Sequence, residues 1–193
     1  ESIRKGLQTM SGAIQNSVGA IVVEFLDSVT TTSVNKFKMA VDSCRAYVEQ
    51  TLPKEYTIIS NPVILNRGIS LELDFVVIGK NGVFIVEAKN HRGIISGKTS
   101  KSSWKQIKHG RNDKVYEKEI DNPVKQSFRQ GKRMQELFRD FDIFAGVYPV
   151  LFFADSKTEL KITDDADLNV PIFKKEKDLL DYIQNTKGRE TVS

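Results

Sequence analysis

One cysteine and two histidines are all this chain offers to soft metals or to redox chemistry. Cys44 alone cannot close an internal disulfide, which favours a reducing compartment. The same scarcity argues against a Cys/His zinc site, so any metal would be held by oxygen ligands, as magnesium and manganese are. Long apolar runs are missing too. The stretch "AIVVEFL" is cut by Glu24, far short of the roughly 20 residues a bilayer helix needs. No basic region, apolar core and cleavage site follow one another at the N-terminus in secretory order. The expectation is a cytoplasmic protein with no membrane span.

With 39% hydrophobic and 28% charged residues, the 193-residue chain suits one globular domain with an N-terminal helical extension. The net charge of +4 is unevenly spread. Between Lys98 and Arg139 stand twelve Lys/Arg and five acids. Such a stripe reads as a phosphate-binding surface, or as an ordinary solvated helix and loop.

Along residues 5–29, apolar side chains from Leu7 to Val29 recur at helical spacing. A second helix is expected from Val34 to Thr51, with Phe37, Val41, Cys44 and Val48 on one face and Pro53 as its stop. "YTIISNPVIL" reads as a strand bent at Asn61-Pro62, and "SLELDFVVI", "GKNG", "VFIVEAK" as a hairpin. Residues 97–120 carry no clear period and are expected to be loop. Asn122-Pro123 opens a helix, "AGVYPVLFFAD" is a strand, "VPIF" a short last strand and "KKEKDLLDYIQ" a closing helix. The order implies an α/β layout: a small mixed β-sheet flanked by helices over residues 36–193, preceded by the extension over 1–35.

The hairpin ends on Glu87-Ala88-Lys89, an acid and a base two residues apart. With Lys80-Asn81 as the loop, Gly79 pairs with Gly82 and Asp74 faces Glu87. With Asn81-Gly82 as the loop, Asp74 faces Lys89 and Glu87 is diagonal. Both registers put Asp74, Glu87 and Lys89 on one face, with Val76, Ile78, Val83 and Ile85. Leu73, Phe75, Val77, Phe84 and Val86 take the other. Opposed carboxylates destabilise each other and call for a compensating charge. Lys89 supplies one positive charge; a divalent cation supplies two. Magnesium on Asp74 and Glu87, with the Ala88 carbonyl as a candidate third ligand, would activate water against a phosphodiester. The alternative is a structural acid–acid–lysine cluster at a sheet edge. Two further acid-x-Lys copies, Asp155-Ser156-Lys157 and Glu159-Leu160-Lys161, lack a hairpin partner carrying a second carboxylate and are expected in solvated loop.

Taken together, "LELDFVVIGKNGVFIVEAKNHRGIISG", Trp104 and the Asn122-Pro123-x-x-Gln126 box resemble the nuclease-related domain (NERD) family over about residues 37–155. That resemblance implies a restriction-endonuclease-like fold related to the PD-(D/E)xK nucleases. It also implies a metal site from Asp74 and Glu87, a catalytic Lys89, and a Gln126 facing the site. His91 reads as a loop residue and Trp104 as packing. The family's Gly-Glu pair on the helix before the first strand is absent here. Asp42 and Glu49 are the nearest substitutes for that acid, with Glu24 a weaker one.

Three functions are therefore expected in turn. The first is a magnesium- or manganese-dependent nuclease cleaving DNA, with Lys98, Lys101, Lys105, Lys108, Arg111, Lys125, Arg129, Lys132 and Arg133 on the phosphates. The second is a non-catalytic nucleic-acid-binding module on the same fold. The third is an interaction domain that forms a homodimer through the N-terminal helix.

Overall fold

The computed structural model describes residues 38–66, 69–110 and 114–188. The expected extension over 1–35 with its dimer contact, the helix start at 34–37, Glu24 and Arg111 lie outside them. Three helices occur among the described residues: α1 (Lys38–Thr51), α2 (Pro123–Asp140) and α3 (Glu176–Asn185).

The hairpin organises the main sheet. β4 (Phe75–Gly79) and β5 (Gly82–Lys89) are apolar on both faces, so the pair must be covered on both sides. Gly79 pairs with Gly82, which selects the register with Lys80-Asn81 as the loop. Gly82 stands at φ +132°, and a β-carbon there would lie 2.7 Å from the Gly146 carbonyl, so only glycine fits the turn. β1 (Thr57–Ser60) flanks β4 antiparallel. β9 (Val147–Phe153) flanks β5 in parallel and carries the two-residue β11 (Ile172–Phe173).

Alternation along the strands splits the core in two. Val76, Ile78, Val83 and Ile85 pack under Met134, Leu137 and Phe138 of α2. Phe75, Val77, Phe84 and Val86 pack with Cys44 and Val48 of α1 and Leu179, Leu180 and Ile183 of α3 on the other face. Burial and the charge of Glu176 push the Cys44 thiol up to about 12, so it stays protonated and acts as a small apolar side chain. Leu73, expected on the α1 side, lies on the α2 side. The chain leaves the strand at a bend at Asp74, which breaks the alternation there.

That bend changes the topology. "YTIISNPVIL" is two strands, β1 and β2 (Val63–Asn66), separated at Asn61, whose φ is +49°. "SLELDFVVI" likewise divides into β3 (Ile69–Glu72) and β4. β2 and β3 form a separate two-stranded sheet. Bonds from Asn61 N–H to the Asp74 carbonyl (2.8 Å) and from Leu73 N–H to the Pro62 carbonyl (3.1 Å) carry the pairing around the corner.

A larger difference lies at residues 97–120, expected as loop. β6 (Ile94–Lys98), β7 (Ser103–His109) and β8 (Val115–Asp121) run antiparallel there, and β10 (Glu159–Thr163) joins β6 in parallel. The second acid-x-Lys copy is therefore in an edge strand rather than a loop, with Glu159 and Lys161 ion-paired at 3.1 Å. The inner face of this sheet carries Ile95, Trp104 and Ile120 against Leu151 and Phe153 of β9 and Val124 of α2. Trp104 is buried, its ring fills the space a side chain at Gly97 would need, and its indole N–H donates to the Lys98 carbonyl at 2.9 Å.

Among the described residues, no helix is long and apolar enough to cross a membrane.

Candidate metal and phosphate site

Extending the hairpin register by one residue places Asp74 opposite Glu87. Glu87 is 5% exposed, yet it carries a carboxylate on the face that packs against α2. Its oxygens are therefore held by hydrogen bonds. Lys89 Nζ donates to Oε1 at 2.5 Å, Gln126 Nε2 to the same oxygen at 2.7 Å, and Gln130 Nε2 to Oε2 at 2.8 Å. Lys89 Nζ also donates to Gln126 Oε1 at 2.9 Å, so Gln126 bridges the acid and the base.

Asp74 is anchored differently. The bend turns its side chain back across the end of the hairpin, where Oδ2 accepts the Ala88 N–H at 2.7 Å. A residue's N–H and C=O leave a strand on the same side, so the Ala88 carbonyl also points toward Asp74. Lys89's carbonyl takes the opposite side and accepts from Ala154 of the segment after β9 at 2.9 Å.

Burial and the charge of Glu87 push the Asp74 carboxyl up to about 6, against the opposing pull of the Ala88 N–H and of Lys89. An acid raised in this way sits where positive charge is in short supply. Gln130 Oε1 is buried in the same place with no partner among the described residues. Hard oxygen donors, a surplus of negative charge and an orphaned acceptor able to take a hydrogen bond from bound water fit magnesium or manganese.

Asp42 and Glu49 do not approach this cluster. α1 packs on the opposite face of the sheet, and both carboxylates flank Arg45, at 4.0 and 3.0 Å. Among the described residues, no group of three or more His, Cys, Asp or Glu side chains is placed to hold a metal ion. Asp155 stays in a turn, its side chain accepting the Lys157 N–H at 2.8 Å.

α2 delivers the two glutamines because of how it begins. Pro123 suits a helix's first position, and Asn122 Oδ1 caps the amides of Val124 and Lys125 at 2.9 and 3.2 Å. Asn122 Nδ2 donates to the carbonyls of Lys98, Thr99 and Lys101, lashing the β6–β7 turn to the helix start. Gln126 and Gln130 are one turn apart, so both reach Glu87. Gln130 is the residue sequence reasoning missed. Its spacing of four from Gln126 was the available signal.

The expected phosphate-contacting cations are dispersed. Arg129 and Arg133 follow Gln126 by three and seven residues, which continues the site-facing stripe of α2 onto exposed surface. Lys132 lies 5.2 Å from the Phe128 ring centre, and Lys125 Nζ donates to the Ser100 carbonyl at 2.5 Å. Lys98 and Lys101 are exposed at the β6–β7 turn. Lys105 pairs with Glu117 at 2.7 Å. His91 is half-buried; burial and the charges of Lys89, Lys108 and Lys118 hold its imidazole below the usual range.

A mixed sheet flanked by helices, with two acids and a lysine at the end of its central hairpin, is the arrangement of a restriction-endonuclease-like protein. The nuclease-related domain model matches residues 40–154, more than half of the chain, and the chain belongs to that family, within the PD-(D/E)xK-like nuclease superfamily. An uncharacterized protein of Bacillus anthracis is 27% identical over 117 residues, covering 58% of this chain and 52% of that protein. The chain thus spans about half the length of that relative. No solved structure matches the chain.

Proposed function

We propose that the domain is a metal-dependent nuclease that hydrolyses DNA phosphodiester bonds at Asp74, Glu87 and Lys89. The observation that carries this reading is the meeting of Asp74 and Glu87 at the end of the hairpin, where Asp74 accepts the Ala88 N–H at 2.7 Å and Lys89 is bonded to Glu87 at 2.5 Å. Asp74, Glu87 and the Ala88 carbonyl would hold magnesium or manganese, which supplies Lewis-acid activation of the phosphate and acidifies a bound water. Lys89 orients the attacking water and stabilises the negative charge that builds on the phosphoryl oxygens. Gln126 fixes the Lys89 ammonium beside Glu87, and Gln130 holds the second Glu87 oxygen in place. Arg129 and Arg133 meet the flanking phosphates.

A second reading, a nucleic-acid-binding module without catalysis, is favoured by one observation: α1 brings no third acid to Asp74 and Glu87. Plasmid cleavage with magnesium or manganese separates the two. Wild-type protein is expected to nick supercoiled DNA, and Glu87→Ala and Lys89→Ala to abolish nicking. Nicking that survives both substitutions refutes the site. Salt-dependent DNA binding without nicking supports the second reading.

A further inference from the structure

The two faces of the second sheet carry different electrostatics. Register puts Lys105 opposite Glu119 and Ile107 opposite Glu117 on the outer face, and Ser103 opposite Asp121. Two of the lysines there are matched: Lys105 pairs with Glu117 at 2.7 Å, and Lys161 with Glu159 at 3.1 Å. The inner face begins as core, with Trp104 opposite Ile120. One step along, buried Gln106 stands opposite Lys118, and one step further Lys108 stands opposite Tyr116. No ion pair links Lys108 or Lys118 to a described residue, and both side chains are exposed.

Position ties this pair of lysines to the candidate site. Gln106 Nε2 donates to the Arg92 carbonyl at 2.9 Å, which pins the segment leaving β5 after Lys89 onto the inner face of β7. Lys118 is Gln106's cross-strand partner, and Lys108 is its same-face neighbour two residues along. Both charges act on His91, as that of Lys89 does. The inner face therefore leaves the core and continues as a wall of positive charge with no ion-pair partner among the described residues, beside the strand end that carries Glu87 and Lys89.

We infer that Lys108 and Lys118 form a phosphate-binding subsite for the nucleic-acid strand, next to the bond held at Asp74, Glu87 and Lys89. The inference rests on the proposed function and deepens it. Both lysines belong to the inner-face wall, whereas Lys105, equally basic in sequence, is turned away and neutralised. Lys118 stands out because parity, not local charge, selects it: its sequence neighbours are Glu117 and Glu119.

The test is equilibrium binding of a short fluorescent DNA duplex to the full chain, without divalent metal, across a salt series. Each phosphate that the protein no longer neutralises lowers the slope of log K against log salt by about 0.9. Lys108→Ala/Lys118→Ala is expected to lower the slope by about 1.8 and to weaken binding at every salt concentration. Lys161→Ala, an outer-face control that also removes lysine charge, is expected to keep the wild-type slope. A double variant with the wild-type slope, or a Lys161→Ala slope reduced by as much as half the double variant's change, overturns the subsite. Nicking by the wild-type protein alongside either result means that the subsite alone has failed. A wild-type protein that neither nicks nor binds DNA overturns the proposed function and the subsite with it.

Discussion

Replacing Asp74 with asparagine is expected to make the metal-free protein more stable while destroying the proposed metal site. Burial and Glu87 raise the Asp74 carboxyl from 3.8 to about 6. An acid whose pKa is higher in the native state than in the unfolded state favours the native state when protonated. Its contribution is present below about pH 4 and is lost as pH rises through 6. The change from 3.8 to about 6 corresponds to about 3 kcal/mol; partial exposure and solvent screening reduce the working figure to about 2 kcal/mol. Asparagine stays neutral at every pH and keeps an oxygen to accept the Ala88 N–H, so it removes the cost without losing the bond. In EDTA at pH 7.5, Asp74→Asn is expected to exceed the wild type by about 2 kcal/mol, or about 4–8 °C in Tm for a chain of this size. At pH 4 the two proteins should nearly coincide. Urea unfolding at both pH values measures the difference of differences, which cancels the other titrating groups. Magnesium should raise the Tm of the wild type and leave the variant unchanged. An asparagine variant with the same advantage at pH 4 and 7.5, or with none at either, refutes the carboxylate repulsion on which the metal site is argued.

Other perturbations test the scaffold that positions the site. Asn122→Ala removes a helix cap and three bonds to the β6–β7 turn, and is expected to cost about 2–3 kcal/mol in urea unfolding, against about 1 kcal/mol for an ordinary cap. Gln130→Ala leaves a Glu87 oxygen without its buried donor and is expected to cost about 1–3 kcal/mol, with weaker magnesium-induced stabilisation; unchanged magnesium stabilisation would assign Gln130 to packing alone. Gly93→Ala forces φ +94° on an L side chain and puts a β-carbon 2.2 Å from the Ile107 carbonyl, so its Tm is expected to fall by several degrees.

The central hairpin was legible because its code is local. A two-residue loop, a period of two and glycines at both ends fix which side chains share a face, and one of the two registers read from sequence is the one observed. α2 was legible from Asn122-Pro123 and its apolar spacing. The second sheet was not. Its inner face changes from Trp104 and Ile120 to Gln106, Lys108 and Lys118, and its outer face mixes charge with Ser103 and Ile107, so alternation in space leaves no alternation in hydropathy. The bend at Asp74 was hidden as well, because a continuous apolar run reads as one strand whether or not it turns a corner, whereas Asn61-Pro62 announced its own bend.

The sequence by itself therefore determined the acids, the lysine and the strand that presents them, since these depend on neighbours along the chain and across one tight turn. Tertiary structure decided what surrounds them. It brought Gln130 to Glu87, kept Asp42 and Glu49 on the far side of the sheet, and turned Lys105 to one face, beside Glu117, and Lys108 and Lys118 to the other. Those outcomes depend on which face of each element packs inward, and that is set by contacts between segments far apart in the chain.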